Sequence, residues 1–151
     1  MILKREFTNG LIIYFAIGAY FLLMEVLGLS NVFWLRFLNF FIVLFGINLT
    51  ITANLKDGVK SYISNLVSAF LTGMIGAVLG IASLLAYISY KGGEVYLQKL
   101  SHIFLFGGGT VNEVQYSIGL FFESSAATAI IAFCMMQYYK SRSKIDKVPN
   151  P

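Results

Sequence analysis

The stretch from Ser61 to Tyr90 holds thirty consecutive residues without a charged side chain. At a rise of about 1.5 Å per residue, a helix of this length extends about 45 Å. The hydrocarbon core of a bilayer is about 30 Å thick, so the helix is long enough to span it with length left for tilt or for an overhang. The stretch therefore predicts a transmembrane helix.

Small residues recur at every fourth position along this predicted helix, and a second row of small residues runs beside the first. In lipid, apolar surface alone does not drive helices together, whereas small residues let two backbones approach closely. We therefore expect the other spans to pack against this helix. The predicted packing residues are Ser64, Ser68, Thr72, Gly73, Gly76 and Gly80.

Composition supports a membrane protein over the whole chain. Of the 151 residues, 58% are hydrophobic and only 12% are charged, and the mean hydropathy is +0.76. A soluble domain carries about twice that charged fraction. Once the spans are counted, no room is left for a second domain of ordinary size, so we expect one membrane domain over residues 1–151. The single cysteine, Cys134, allows no intramolecular disulfide.

The apolar runs predict four spans. A cleaved signal peptide is an alternative for the first, but Glu25 stands where the cleavage region would begin, which favours an uncleaved span. Between the third and fourth spans, apolar residues recur at three-to-four spacing, which is typical of an amphipathic helix at the membrane interface. The predicted spans are residues 10–28, 31–53, 61–90 and 114–139, the interfacial helix is 94–106, and a basic tail is 140–151.

Positive charges are distributed unequally between the connections. The head, the second connection and the tail together carry eight lysines and arginines, whereas the other side has Lys91 and Lys99, with Arg36 just inside the second span. The positive-inside rule then predicts an all-α four-helix bundle with both termini in the cytoplasm. The basic residues serve as anchors for anionic lipid, so the bilayer, and not nucleic acid, is the expected partner.

Three charged residues fall within the predicted spans, all in the outer half: Glu25, Arg36 and Glu123. A charge near the bilayer centre costs at least ~2.5–3.5 kcal/mol, so such residues usually face the bundle and find partners. One hypothesis pairs Arg36 with Glu123 and leaves Glu25 as a second, protonatable carboxylate, which suits proton or cation coupling. In the alternative, Glu25 and Arg36 reach the nearby head groups and Glu123 is a polar contact between helices.

Signatures of catalysis are absent from the sequence. His102 has no cysteine or carboxylate at ligand spacing, and the glycines at 107–109 lack the lysine and the preceding strand of a phosphate-binding loop. No nucleophile–base set and no cofactor fingerprint occurs. We therefore expect no catalytic residues, no metal and no cofactor, and a protein that is not an enzyme.

The polar turn at residues 55–58, with Tyr62-Ile63-Ser64 and the run at 69–73 behind it, resembles a junction in a known family. It is similar to the link between the second and third helices of small four-span membrane proteins that are common in Bacteroidota and carry a domain-of-unknown-function label. This chain departs from that family by a shorter third connection and by the lack of a proline in the last span. The resemblance implies a location in the bacterial cytoplasmic membrane and no known activity.

Two functions remain open from the sequence. The first is an interaction or accessory subunit of a membrane complex, with a partner protein or a second copy of the chain docked on the third span through Gly76 and Gly80. The alternative is a small proton- or cation-coupled transporter or channel unit that uses Glu123. A transporter predicts that the polar faces of the second and fourth spans line one cavity, whereas a subunit predicts that pairwise contacts use them up.

Overall fold

The computed structural model describes residues 2–30, 32–101 and 112–141. Within those residues the chain forms helices and turns, and no strand occurs. Four of the helices are long and apolar enough to span a membrane, which indicates a multi-pass membrane protein and confirms the predicted all-helical class. The helices are α1 (Ile2–Val26), α2 (Phe33–Arg36), α3 (Leu38–Lys56), α4 (Tyr62–Tyr90), α5 (Glu94–Ser101) and α6 (Glu113–Ser141).

The four long helices alternate in direction, so α1 runs parallel to α4. Helix α4 contacts α1, α3 and α6, whereas no described residue of α1 contacts α6. We call the end that holds Ile2, Ser141 and the α3–α4 turn the termini end. The opposite end, with the α1–α2 connection and α5, is the loop end. The central position of α4 agrees with the role that its small residues predict.

Helix α1 begins eight residues earlier than the predicted first span, at Ile2. The basic head is therefore helical, and Arg5 lies within the first turns. Its guanidinium donates to Asn54 Oδ1 at 2.7 Å and forms a salt bridge with Asp57, just beyond the end of α3. These contacts fix the start of α1 against the α3–α4 turn and place the following residue, Glu6, inside the bundle.

The predicted second span is divided by a break at Phe37, which separates the short α2 from α3. Helix α3 has 19 residues, so it extends about 28 Å, close to the thickness of a hydrocarbon core. Asn31, which the sequence suggests as the start of this span, lies outside the described residues.

Ser61 is the N-cap of α4, and its Oγ accepts a hydrogen bond from the backbone N–H of Ser64 at 3.5 Å. The preceding turn uses Gly58 at φ +82°, a conformation that glycine adopts without strain. Nδ2 of Asn65 donates to the carbonyls of Val59 at 2.7 Å and Ser61 at 2.9 Å. The turn between α3 and α4 is thus held by side chains as well as by backbone.

Two hydrophobic clusters hold the ends of the bundle. Near the loop end, Leu97 of α5 is fully buried against Ile88 of α4 and Tyr116 and Leu120 of α6. Of the stretch predicted as an interfacial helix, Glu94–Ser101 forms α5, while its position at a membrane interface stays a prediction and its residues 102–106 lie outside the described part of the chain. So does most of the predicted tail. Toward the termini end the cluster consists of Ile47, Ile51, Ala69, Ile131, Ala132, Met136 and Tyr139.

Candidate functional site

A cavity of about 550 Å³ lies between the four long helices in the half of the bundle toward the loop end. We call it the loop-end cavity. Side chains from every long helix line it, and most of them are apolar or aromatic. The lining includes Tyr14 and Phe21 of α1, Asn39 and Phe40 of α3, Leu84 and Tyr87 of α4, and Leu120, Glu123 and Ser124 of α6.

Two glycines of α4 mark where the helices pack closely and where space remains between them. A Cβ on Gly80 would meet no atom within 4 Å, and the same holds for Gly18 on the facing part of α1. A Cβ on Gly76, about one turn below Gly80, would lie only 2.7 Å from Cγ2 of Ile13. Small residues therefore let helices meet in one half of α4 and leave a void between them in the other half.

The predicted packing residues of α4 divide in the same way. Ser68, Thr72, Gly73 and Gly76 are buried between helices, and Gly73 lies against the Thr128 side chain of α6. Gly73, Gly76 and Gly80 all border the loop-end cavity, but of these three only Gly80 has open space at the position of a Cβ. Ser64 is exposed, and its backbone N–H serves the helix cap.

Polar groups of the second and fourth predicted spans reach the loop-end cavity from opposite walls. Asn39 lies on α3, and its Oδ1 is buried without a hydrogen-bond partner among the described residues. Glu123 and Ser124 lie on α6. Closer to the termini end, by contrast, Asn48 of α3 accepts a hydrogen bond from the Tyr139 hydroxyl at 2.6 Å. The two spans thus share a cavity in one half and pair with each other in the other half.

The three charged residues predicted to share a site do not all lie at the cavity. Glu123 lines it, has an exposed side chain and forms no salt bridge with any described residue. Arg36 is the last residue of α2 and follows Leu35, which lines the cavity. The Arg36 side chain lies outside the described part of the structure, so the Arg36–Glu123 pair stays a prediction. Glu25, at the last turn of α1, does not line the cavity.

Glu25 lies instead beside Tyr96 of α5. The Tyr96 hydroxyl oxygen is buried, and it forms no hydrogen bond of normal geometry with a described group. Burial, and then the nearby Glu25 carboxylate, raises the pKa of the Tyr96 phenol above its ordinary value. The Tyr96 ring also packs edge-on against Tyr87, with ring centroids 5.9 Å apart. Glu25 is therefore part of the contact between α1 and α5.

A second group of polar side chains lies at the termini end, and we call it the termini-end polar cluster. Ser68 Oγ donates to Glu6 Oε1 at 2.5 Å, and the hydroxyls of Thr50 and Thr72 are 2.9 Å apart. Nδ2 of Asn9 donates to Thr50 Oγ1 at 2.9 Å. This cluster joins α1, α3 and α4 through side-chain hydrogen bonds.

Sequence analysis missed Glu6, which is only 1% exposed. The residue was assigned to a basic head because Lys4 and Arg5 precede it. The helical spacing of Glu6, Asn9 and Ile13 was the available signal, since residues at i, i+3 and i+7 share one face. All three point into the bundle: Glu6 and Asn9 form hydrogen bonds there, and Ile13 is 1% exposed.

Comparison of the chain with protein-family models, curated proteins and solved structures finds no match. The functional assignment therefore depends on the geometry of the loop-end cavity and of the termini-end polar cluster.

Proposed function

We propose that the protein binds an amphipathic organic cation in the loop-end cavity and acts as a small transporter or channel unit. The observation that carries this proposal is that polar side chains of α3 and α6, Asn39 and Glu123, line the same cavity. A transporter requires such a shared polar lining, whereas a purely structural bundle consumes its polar side chains in pairwise contacts.

The chemistry of the walls selects the ligand class. A volume of about 550 Å³ falls in the range of small-molecule pockets. Aromatic rings such as Tyr14, Phe21 and Tyr87 provide apolar contact and faces that attract a cation. Glu123 provides the negative charge, and no described cation neutralises it. A ligand with an apolar body and one positive charge satisfies all three features.

The proposal includes a location in the bacterial cytoplasmic membrane with the termini end facing the cytoplasm. The basic residues support this orientation, because Lys4, Arg5, Lys56, Lys60 and Lys140 are at the termini end. In this orientation the loop-end cavity lies in the outer half of the membrane. A lipophilic cation would reach it from the outer side.

The direct test is binding of tetraphenylphosphonium to the protein in lipid nanodiscs, with empty nanodiscs as the partition background. We expect saturable binding by the wild-type protein. Glu123→Gln should weaken it about tenfold, which corresponds to about 1.4 kcal/mol. Gly80→Leu should abolish it, because Gly80 borders the cavity and the new side chain begins in open space, with no atom within 4 Å of its Cβ.

Matched variants separate these effects from general damage. Glu94→Gln removes the same charge from an exposed position on α5, and Ala82→Leu adds the same bulk to an exposed position on α4. Both should bind as the wild type does. Equal binding by Glu123→Gln, Gly80→Leu and the wild type would contradict the proposal.

The accessory-subunit function stays a prediction. Its sequence basis was the row of small residues on the third span, but Gly76 is covered by Ile13 and Gly80 faces the cavity. These residues therefore offer less free docking surface than the sequence suggested. Isolation of the tagged protein from its native membrane in mild detergent distinguishes the two functions: a stoichiometric partner supports a subunit, and recovery of the chain alone supports the transporter.

A further inference from the structure

The termini-end polar cluster contains three buried side-chain atoms without a hydrogen-bond partner in the described structure: Glu6 Oε2, Asn54 Nδ2 and Asn65 Oδ1. Each residue is at most 1% exposed. The orientation of both amides is fixed, since Asn54 Oδ1 accepts from Arg5 and Asn65 Nδ2 donates to two carbonyls. Two of the three orphaned atoms are therefore oxygens that can only accept.

Glu6 has no cation beside it among the described residues. On α1, the neighbouring Arg5 is engaged by Asp57 and Asn54, and Lys4 is exposed. The lysines of the neighbouring elements are Lys56 at the end of α3 and Lys60 in the α3–α4 turn, and both are exposed. The titratable groups of α4 are tyrosines only, at positions 62, 87 and 90.

A buried carboxylate without a counter-charge is strongly unfavourable, because burial removes its water and leaves its charge uncompensated. Oxygen ligands from a carboxylate, an amide and a hydroxyl suit a small hard cation. Glu6 and Ser68 are already in contact, and Asn65 lies three residues before Ser68 on the same face of α4. The Glu6 carboxylate and the Ser68 hydroxyl are thus in contact, and Asn65, with its unpartnered side-chain oxygen, lies on the adjacent turn of α4.

We propose that Glu6, Ser68 and Asn65 form a binding site for a small hard monovalent cation, Na⁺. The cation neutralises Glu6 and holds α1 against α4 at the termini end. The site lies apart from the loop-end cavity, and Glu6 does not line that cavity. Its occupancy does not depend on the organic cation that we propose as ligand.

The test measures the thermal unfolding of the protein in nanodiscs without any organic cation. Sodium chloride is exchanged for caesium chloride, whose inorganic cation is much larger than Na⁺, at constant total salt. A ligand that binds only the folded state raises the melting temperature. Na⁺ at a hundredfold excess over its Kd should raise it by about 5 °C.

A Na⁺-dependent rise in the melting temperature that is lost in Glu6→Gln supports the site. Glu94→Gln, which removes an exposed carboxylate of α5, is the matched control and should respond as the wild type does. A wild-type protein that does not respond to Na⁺ overturns the proposal, as does a Glu6→Gln variant that still responds.

Ser68→Ala keeps the test decisive if Glu6→Gln does not fold. It retains the carboxylate and removes only the hydroxyl that contacts it. We expect the concentration of Na⁺ needed for half of the stabilisation to rise about tenfold, which is the loss of one good ligand contact. An unchanged response in Ser68→Ala would overturn the site. Neither result alters the expected binding of tetraphenylphosphonium to the loop-end cavity.

Discussion

The two halves of α4 carry similar small residues, yet they differ in how closely the neighbouring helices pack against them. Toward the termini end, Gly73 and Gly76 are covered by Thr128 and Ile13, and the helices meet closely. Toward the loop end, Gly80 faces open space and lines a cavity. The difference teaches that a small residue only permits close approach. Whether the helices approach depends on the side chains that the partner helices offer.

The polar residues follow the same division. In the termini half, hydroxyls, amides and a carboxylate join three helices through hydrogen bonds, as with Asn9 and Thr50. In the loop half, Asn39 and Glu123 line a cavity without bonding to each other. The termini half is therefore built for cohesion, and the loop half has the features of a binding site. The following variants test that contrast in order of their expected effect on stability.

The largest effect is expected from Gly76→Leu. Its Cβ would lie 2.7 Å from Cγ2 and 3.0 Å from Cβ of Ile13, so the helices must separate. Overpacking of this kind costs about 3 kcal/mol of unfolding free energy. The measurement is reversible unfolding in bicelles. Gly80→Leu is the matched control, and a loss in Gly80→Leu as large as in Gly76→Leu would remove the contrast between the halves.

The next effect is expected from Thr50→Val. Thr50 is fully buried, accepts from Asn9 and shares a hydrogen bond with Thr72. Valine keeps the shape but leaves the Asn9 amide without its acceptor, which costs about 2 kcal/mol. The same unfolding assay measures it. Thr8→Val is the control, since the exposed Thr8 hydroxyl bonds only within its own helix; equal losses would mean that the cluster adds no cohesion.

A smaller effect is expected from Tyr139→Phe. The Tyr139 hydroxyl bonds to Asn48 at 2.6 Å and to Thr52 at 2.9 Å, so the variant loses two contacts between α3 and α6. At ~0.6 kcal/mol for each intramembrane hydrogen bond, the loss is about 1 kcal/mol. Tyr14→Phe loses only its bond to Ser83, in the cavity half. A greater loss in Tyr14→Phe than in Tyr139→Phe would reverse the assigned order of the halves.

The last prediction concerns ionisation and not stability. Burial and the Glu25 carboxylate raise the pKa of Tyr96, so this phenol should stay protonated at an alkaline pH where exposed tyrosines ionise. Glu25→Gln removes the second cause and should lower the pKa of Tyr96 only part of the way to its ordinary value. The measurement is the tyrosinate absorbance that disappears on Tyr96→Phe. Glu123→Gln should leave the titration unchanged, and a Glu25→Gln variant without a shift would contradict the contact.

Element positions were more accessible to sequence reasoning than side-chain partners. The third span, predicted at residues 61–90 from the stretch without charges, agrees with α4, because such a stretch is a local pattern. The start of α1 at Ile2 was missed, because the basic residues before the apolar run were taken to lie outside the helix as long as their acidic partner was unknown. That partner, Asp57, is fifty-two positions away from Arg5 and becomes adjacent only through the pairing of α1 with the end of α3.

The candidate site shows the same limit. Glu123 was singled out because a charge within an apolar helix is conspicuous in the sequence. Glu6 was not, although it is the more buried of the two carboxylates. Burial of a residue near a helix end depends on which neighbour covers it, and Ser68 lies sixty-two positions away in the chain.

The sequence alone determined that four helices are long and apolar enough to cross a membrane, because the length and the hydropathy of a segment are local properties. Only the tertiary structure decided that Gly76 is covered while Gly80 lines a cavity. It also decided that the Glu6 side chain is buried while the Glu123 side chain is exposed. Those outcomes depend on the side chains that distant helices bring to the same level of the bundle, such as Ile13 against Gly76, and no local pattern in the sequence specifies such partners.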